Sequence, residues 1–273
     1  MARVEVNGVG LFFEAGGDGD PLVLVHGSWV DHHNWDAVVH GLALRYRVLV
    51  YDRRGHSESD RPDGQGTRRE DEDDLGALME VLGFAPAYVV GNSFGASTAL
   101  GLAARRPELF RGIAVHEPPL LDVVADVPEY REQVAETRRL LGACADRLRE
   151  GDALAGARQF VDEVAFGPGA WEQCPTKVKE TFVANAPTFL DEQGDPLWAA
   201  LDPSELHDFT APALLSRGAH SPPWFGAVFD RLAGALPWAR THVYEGAGHT
   251  PHVTDPEEFT AVLTAFFDEA GRS

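Results

Sequence analysis

The chain has 273 residues, enough for one large α/β domain or two smaller ones with a substantial buried core. Its formal net charge of −20 and sequence pI near 4.8 argue against nucleic acid and anionic membrane surfaces as partners. The two cysteines lack metal-ligand spacing and no apolar run is long enough to span a bilayer, so no cofactor, metal site or membrane anchor is predicted. A strand-like start without a signal-peptide core predicts a cytoplasmic protein.

The first two strand-like runs predict an antiparallel pair, because Asn7-Gly8 between them is a two-residue hairpin signal. Later apolar runs alternate with helix-like segments, which predicts a mostly parallel eight-stranded sheet flanked by helices, an α/β fold. The predicted strands are Val4–Val6, Val9–Phe13, Leu22–Val25, Arg47–Tyr51, Ala87–Val90, Gly112–Val115, Ala213–Ser216 and Thr241–Tyr244. The predicted helices are Arg69–Leu82, Phe94–Arg105, Pro222–Ala235 and Pro256–Ala270, the last with Asp255 as its N-cap.

The pattern changes between residues 118 and 208, where strand-like runs vanish and amphipathic helical stretches such as 130–141 and 152–165 take over. This segment predicts a helical lid over residues 118–208, inserted into a core formed by residues 1–117 and 209–273. It follows the sixth strand at the carboxyl edge of the sheet, where ligands bind in open α/β folds. Candidate substrate-binding aromatic residues are Trp171, Trp198 and Phe189 in the lid and Trp29 before it.

The pentapeptide Gly91-Asn92-Ser93-Phe94-Gly95 lies between a predicted strand and a predicted helix, as a nucleophile elbow requires. The same pattern also occurs by chance in loops, and the flanking strand and helix favour the catalytic interpretation. A turn this tight holds Ser93 in a strained backbone region, so glycine is needed two residues on either side. The Phe94 amide and the positive end of the helix dipole would then face a negatively charged substrate oxygen.

A serine needs a nearby base to take its proton. His249 is the best candidate, because it lies in a glycine-rich loop after the last strand, at the same sheet edge as Ser93. His252 competes for this role, but it lies nearer the capped helix start and is expected to be structural. The run His26-Gly27-Ser28 ends a buried strand and offers the Ser28 amide as the second donor of an oxyanion hole, with His26 bracing the loop.

Taken together, these motifs resemble the α/β-hydrolase superfamily over essentially the whole chain. The features that carry the resemblance are His26-Gly27, the Asp52–Ser59 segment, the elbow at Ser93 and the run Gly246-Ala247-Gly248-His249. One glycine usual in the second of these segments is replaced by Ser57. The resemblance implies the α/β-hydrolase fold with a lid after the sixth strand, and hydrolase chemistry.

The acid of the triad departs from the usual pattern. In most similar members an aspartate follows the seventh strand, but here that stretch reads Gly218-Ala219-His220-Ser221, and Ser221 is interpreted as a helix N-cap. Glu117 instead follows the sixth strand in His116-Glu117-Pro118-Pro119, a run similar to the fungal zearalenone-type lactone hydrolases, in which the glutamate serves as the acid. Glu117 is therefore the predicted acid; the alternatives left open are Asp122, Asp208 and Asp230.

The predicted protein is a serine hydrolase that cleaves a carboxylic ester or lactone through an acyl-enzyme. Its triad would be Ser93, His249 and Glu117, with the Ser28 and Phe94 amides binding the oxyanion. A serine rather than an aspartate at position 93 argues against dehalogenase and epoxide-hydrolase chemistry. Hydrolysis of C–C bonds, cofactor-free perhydrolysis and a non-enzymatic receptor of the same fold stay open. The expected partner is a small-molecule substrate, bound by a monomer or homodimer.

Overall fold

A computed structural model describes residues 2–271 and contains one eight-stranded sheet. The strands are β1 (Ala2–Val6), β2 (Val9–Gly16), β3 (Asp20–Val25), β4 (Tyr46–Tyr51), β5 (Ala87–Asn92), β6 (Phe110–His116), β7 (Ala213–Gly218) and β8 (Arg240–Tyr244). Their order across the sheet is β1-β2-β4-β3-β5-β6-β7-β8. β2 pairs antiparallel with β1 and β4, and all other pairs are parallel. The predicted hairpin and the mostly parallel sheet are confirmed.

The helices are α1 (Asp36–Ala43), α2 (Arg68–Val81), α3 (Phe94–Arg105), α4 (Arg131–Arg149), α5 (Ala153–Gln159), α6 (Ala170–Gln173), α7 (Thr176–Gly194), α8 (Pro223–Ala235), α9 (Pro251–Thr254) and α10 (Pro256–Ala270). A π-helical turn, Phe160–Ala165, follows α5. The start predicted for α10 is confirmed, since the Asp255 side chain accepts a hydrogen bond from the Glu258 amide at 3.1 Å. Among residues 2–271 there is no helix with both the length and the apolar character needed to cross a membrane.

Hydrophobic residues pack against both faces of the sheet, because successive side chains of a strand point to opposite sides. In β3, Leu22 and Leu24 belong to a cluster with residues of α1 and α10. Val23 and Val25 belong to the other cluster, with residues of α2, α3 and the segment between β6 and β7. That segment, residues 118–208, holds α4 to α7, so these helices share a continuous core with the sheet.

The parallel strands bring four chain segments to one edge of the sheet. At their carboxyl ends Asn92 of β5 pairs with His116 of β6, and His116 in turn pairs with Ser216 of β7. Further along the edge, Gly218 of β7 pairs with Tyr244 of β8. The residues that directly follow these strands are therefore neighbours in space although they are far apart in the chain.

Candidate active site

Ser93 lies in a strained turn between β5 and α3, with φ +55° and ψ −126°. A Cβ atom on Gly91 would lie 2.5 Å from the carbonyl oxygen of Gly95, closer than real Cβ atoms approach. A Cβ atom on Gly95 would collide with the carbonyl oxygens of Val25 and His26. Larger residues are thus excluded at both positions, as the sequence predicts for a nucleophile elbow.

Two backbone amides next to Ser93 are available to a ligand. Phe94 is the first residue of α3, and neither its amide nor that of Ser28 has an acceptor within the described part of the chain. Gly27 allows the close approach of the Ser28 loop, since a Cβ atom there would lie 3.1 Å from the Cβ of Ser93. An oxygen bound between these amides would also face the positive end of the α3 dipole.

His26 braces the Ser28 loop, as predicted. Its Nε2 accepts a hydrogen bond from the Arg53 amide at 3.0 Å, so its Nδ1 carries the proton and donates to the Gly27 carbonyl oxygen at 2.8 Å. Burial and the charge of Arg53 lower the pKa of His26 to about 3. The ring is therefore neutral at physiological pH and holds a fixed tautomer.

Glu117 and His249 form a buried acid–base pair. His249 Nδ1 lies 2.7 Å from Glu117 Oε2, and the glutamate is only 2 % exposed. The Gly218 amide donates to Oε1 at 2.7 Å and the Ser221 hydroxyl donates to Oε2 at 2.8 Å. Burial by itself raises the pKa of Glu117, but the hydrogen bonds from His249 and Ser221 and the neighbouring positive charge outweigh it and hold the pKa below its usual value.

The prediction of Ser221 as a helix N-cap is wrong. α8 begins at Pro223 after Pro222, and no side chain caps it. Prolines at the start of a helix have no N–H to cap, whereas a buried carboxylate needs donors. The Ser221 hydroxyl therefore turns to Glu117. Ser221, which stands where the sequence comparison expects an aspartate, thus hydrogen-bonds the glutamate that follows the neighbouring strand β6.

His249 and Ser93 border the same space at this edge of the sheet. In the described residues, neither His249 Nε2 nor the Ser93 hydroxyl forms a hydrogen bond, and both side chains line the same two cavities. The Asn92 side chain donates to the His249 carbonyl oxygen at 3.0 Å and ties the histidine loop to the elbow. The Phe225 ring stacks on the imidazole with 5.2 Å between centroids. A proton on Nδ1 leaves the Nε2 lone pair available as a base.

The competing residues lie elsewhere. His252 is fully buried against Trp35, with 4.6 Å between ring centroids, and burial holds its pKa well below the usual value. The alternative acids Asp122, Asp208 and Asp230 are all exposed and make no contact with His249 within residues 2–271. Of the four candidate carboxylates, Glu117 is the one that contacts His249 in the described structure.

Two cavities meet at Ser93. The inner cavity has a volume of about 160 Å³, and the outer groove, which opens to solvent, has a volume of about 680 Å³. Ser28, Ser93 and His249 line both. The inner cavity is also lined by apolar side chains of the insertion and α8, among them Leu140, Leu141, Phe160, Val164, Phe189, Trp198, Trp224 and Phe225.

The four predicted substrate-binding aromatic residues divide into two groups. Phe189 and Trp198 line the inner cavity, whereas Trp29 and Trp171 line neither of the two cavities. Trp29 is fully buried and packs on Phe189 with 4.6 Å between ring centroids. Trp171 is 5 % exposed and packs in the same core. Trp29 thus packs against the insertion, and Trp171 is part of the core within it. The lining of the two cavities gives no support to a substrate-binding role for either indole, which stays a prediction.

A buried ionic network, which sequence reasoning missed, reaches the inner cavity. Arg53 donates to Asp71 of α2 at 2.7 Å and to Glu192 of α7 at 2.8 Å. Burial raises the pKa of Asp71 to about 7 and also raises the pKa of Glu192, despite the charge of Arg53. Glu192 lines the inner cavity beside Ser28, whereas Asp71 does not.

One group of side chains in the described residues has a geometry suited to a metal ion. Possible ligand atoms of Asp31, His32 and Asp52 lie within 4.8 Å of one another. Their hydrogen bonds already account for the arrangement, because Asp52 accepts from the amide and the Nδ1 of His32 at 2.8 and 2.7 Å and from the Glu58 amide at 3.0 Å. These contacts hold the loop after β4 in place and leave no donor set that calls for an ion.

Comparison with known proteins agrees with this fold. Residues 22–262 match the family model described as the alpha/beta hydrolase family. The chain belongs to this family. It is 30 % identical over 267 residues to the 2-hydroxymuconate semialdehyde hydrolase of Pseudomonas sp. strain CF600, an alignment that covers 93 % of this chain and 89 % of the relative.

Two solved structures share the fold over nearly their whole length. The enol-lactonase of Burkholderia xenovorans LB400 superposes with a TM-score of 0.82 at 24 % identity, covering 98 % of this chain and 100 % of the other. A thermophilic esterase of Thermogutta terrifontis gives a TM-score of 0.79 at 24 % identity, covering 99 % of each chain. The proteins compared are named a semialdehyde hydrolase, an enol-lactonase and an esterase. The family match and the Pseudomonas relative support hydrolase activity in general for this chain.

Proposed function

We propose that this protein is a serine hydrolase that cleaves a carboxylic ester or lactone without an anionic group, and that it does so through an acyl-enzyme. The observation that carries the proposal is the contact between Glu117 and His249 at 2.7 Å, at an edge shared with Ser93. The buried carboxylate fixes the proton on Nδ1 and stabilises the imidazolium that forms when Nε2 takes a proton. The same contact argues against the receptor alternative, which has no need of a polarised base.

The reaction follows from these positions. Ser93 Oγ attacks the carbonyl carbon while His249 Nε2 takes the hydroxyl proton, and the oxyanion binds to the Ser28 and Phe94 amides. Collapse of the tetrahedral intermediate breaks the bond to the alcohol, which leaves with the proton held on Nε2. Water then attacks the acyl-enzyme and gives a proton to His249 Nε2. Collapse of this second tetrahedral intermediate releases the acid, and His249 returns the proton to Ser93 Oγ.

We place the acyl group in the inner cavity and the leaving alcohol in the outer groove. Both residues of the proposed oxyanion hole, Ser28 and Phe94, line the inner cavity, whereas Phe94 does not line the groove. The groove opens to solvent and gives the alcohol a way out. The inner volume of about 160 Å³ is close to that of an apolar cavity that holds benzene, about 150 Å³. Acyl groups of up to roughly six carbons should therefore fit.

The wall of the inner cavity favours uncharged substrates over carboxylates. Glu163 and Glu192 line it, and within residues 2–271 no lysine or arginine side chain does. An anionic group brought there would lose hydration and meet like charge. The name of the Pseudomonas relative, a 2-hydroxymuconate semialdehyde hydrolase, specifies a carboxylate substrate, so this wall favours ester or lactone hydrolysis over that C–C bond reaction.

The test is a panel of uncharged esters and lactones of graded acyl size, assayed with the wild-type protein and the Ser93→Ala variant. We expect kcat/KM to rise up to acyl groups of about six carbons and then to fall, and the variant to lose at least about 10³-fold. A fluorophosphonate should label Ser93 in the wild type. Hydrolysis that survives in the Ser93→Ala variant, or faster cleavage of a carboxylate-bearing diketone than of any ester, would overturn the proposal.

A further inference from the structure

The carboxyl group of Glu192 is unusual because it lies in the wall of a largely apolar cavity. The side chain comes from α7 in the insertion, is 5 % exposed and lines the inner cavity together with Ser28, Ser93 and Phe189. Burying a carboxyl among aromatic and aliphatic side chains costs free energy unless it gains partners. Its position therefore calls for an explanation beyond packing.

The contacts of Glu192 leave room for a ligand. Arg53 donates to Oε1 at 2.8 Å, and the Ser28 hydroxyl also hydrogen-bonds the carboxyl and favours its charged form. An ionised carboxylate offers about four lone-pair sites, so these two donors leave acceptor capacity for a ligand. Arg53 also donates to Asp71 at 2.7 Å, so the two buried carboxyl groups share one guanidinium.

We propose that Glu192 is a specificity-determining residue that binds a hydrogen-bond donor on the acyl group of the substrate, either a hydroxyl or a protonated amine. The inference rests on the proposed ester hydrolysis and names the substrate class of the same site. Arg53 holds the carboxyl in place, and Glu192 lines the same cavity as Ser93. A donor on the acyl chain recovers the hydrogen bond that it loses on leaving water, whereas a methyl group at the same place offers the carboxyl no further donor.

The experiment compares three benzyl esters whose acyl groups differ at one position: 3-hydroxybutanoate, 3-aminobutanoate and 3-methylbutanoate. For wild type we expect the kcat/KM of at least one donor-bearing ester to exceed that of the 3-methyl ester by about 10- to 100-fold, the range of one hydrogen bond to a charged group. In Glu192→Gln the side-chain NH₂ would oppose the substrate donor, and in Glu192→Met the acceptor is absent. In both variants the ratio should fall to about 1 or below.

Asp71→Asn is the matched control, because Asp71 shares Arg53 with Glu192 but does not line the inner cavity. This variant should keep the wild-type ratio. A wild-type ratio near 1 would overturn the inference, even if the Glu192 variants failed to fold. So would an equal fall in the Glu192 and Asp71 variants, or a preference that follows a donor on the alcohol portion instead. If wild type cleaves none of the three esters in a Ser93-dependent manner, the proposed function fails; Ser93-dependent cleavage without preference refutes the inference alone.

Discussion

Replacement of Glu117 by glutamine is expected to impair catalysis by forcing His249 into the wrong tautomer. The Gly218 amide donates to Glu117 Oε1 at 2.7 Å. A glutamine that satisfies this donor must place its carbonyl oxygen there, so its NH₂ group occupies the position of Oε2, 2.7 Å from His249 Nδ1. Nδ1 must then accept a hydrogen bond, and the histidine proton moves to Nε2, the atom that should receive the proton of Ser93.

The expected loss in kcat is about 10⁴-fold, the size found when the triad aspartate of a serine protease becomes asparagine. This corresponds to about 5.5 kcal/mol of transition-state stabilisation. The opposite orientation of the glutamine amide is also unfavourable, because it would place the NH₂ group against the N–H of Gly218, and two donors would then face each other. The fold should persist, since the substitution keeps the side-chain volume.

Steady-state kinetics on an aryl butanoate, with the melting temperature measured in parallel, would test this expectation. Glu245→Gln is the matched control, because Glu245 is an exposed glutamate in the loop that leads to His249. The control should retain wild-type kinetics. If folded Glu117→Gln keeps more than about a tenth of the wild-type kcat, Glu117 does not act as the triad acid and the tautomer argument fails.

Three further predictions follow from other contacts. Ser221→Ala removes a hydrogen-bond donor that helps to lower the pKa of Glu117, so the acid limb of the pH profile of kcat/KM should move to higher pH. An acid limb at the wild-type pH would contradict the role given to this hydroxyl. Gly95→Ala should lower the free energy of unfolding by about 1–3 kcal/mol or more, because its Cβ meets backbone oxygens, whereas Gly234→Ala, with no atom within 4 Å, should not be destabilising in urea unfolding. Folded Asp71 keeps its proton up to about pH 7, whereas the unfolded chain loses it near pH 3.8. The free energy of unfolding of wild type relative to Asp71→Asn should therefore fall as pH rises between these values, by at most about 1.4 kcal/mol per pH unit. A difference that rises with pH would refute the raised pKa.

The elbow and the sheet were accessible from sequence because local chemistry determines them. Two glycines around Ser93 and a strand followed by a helix satisfy a steric demand that can be seen within a few residues. The start of α10 is equally local, since Asp255 and Glu258 lie three residues apart. Glu117 could be inferred because parallel strands end at one edge and the usual acid position holds a serine.

The residues of the insertion were harder to assign because their roles depend on packing. The full length of α7 is hard to predict from sequence because Pro187 lies inside the helix, and a proline normally ends a helix. Glu192 lies on that helix, so its approach to Ser28 could not be foreseen. Trp29 and Phe189 look equivalent as aromatic candidates, yet only the second faces the cavity, since the direction of each ring depends on its neighbours in three dimensions.

The carboxylate of Glu117 and the groups that hold it come from different strands, which links chemistry to the assembly of the sheet. Glu117 follows β6, while Gly218 and Ser221 belong to β7 and the loop after it, and His249 follows β8. If β7 and β8 separated from the sheet, the acid would lose its donors and its histidine together while the elbow stayed intact. Turnover and labelling of Ser93 by a fluorophosphonate would then both report pairing at this end of the sheet, because Ser93 would have no base to take its proton.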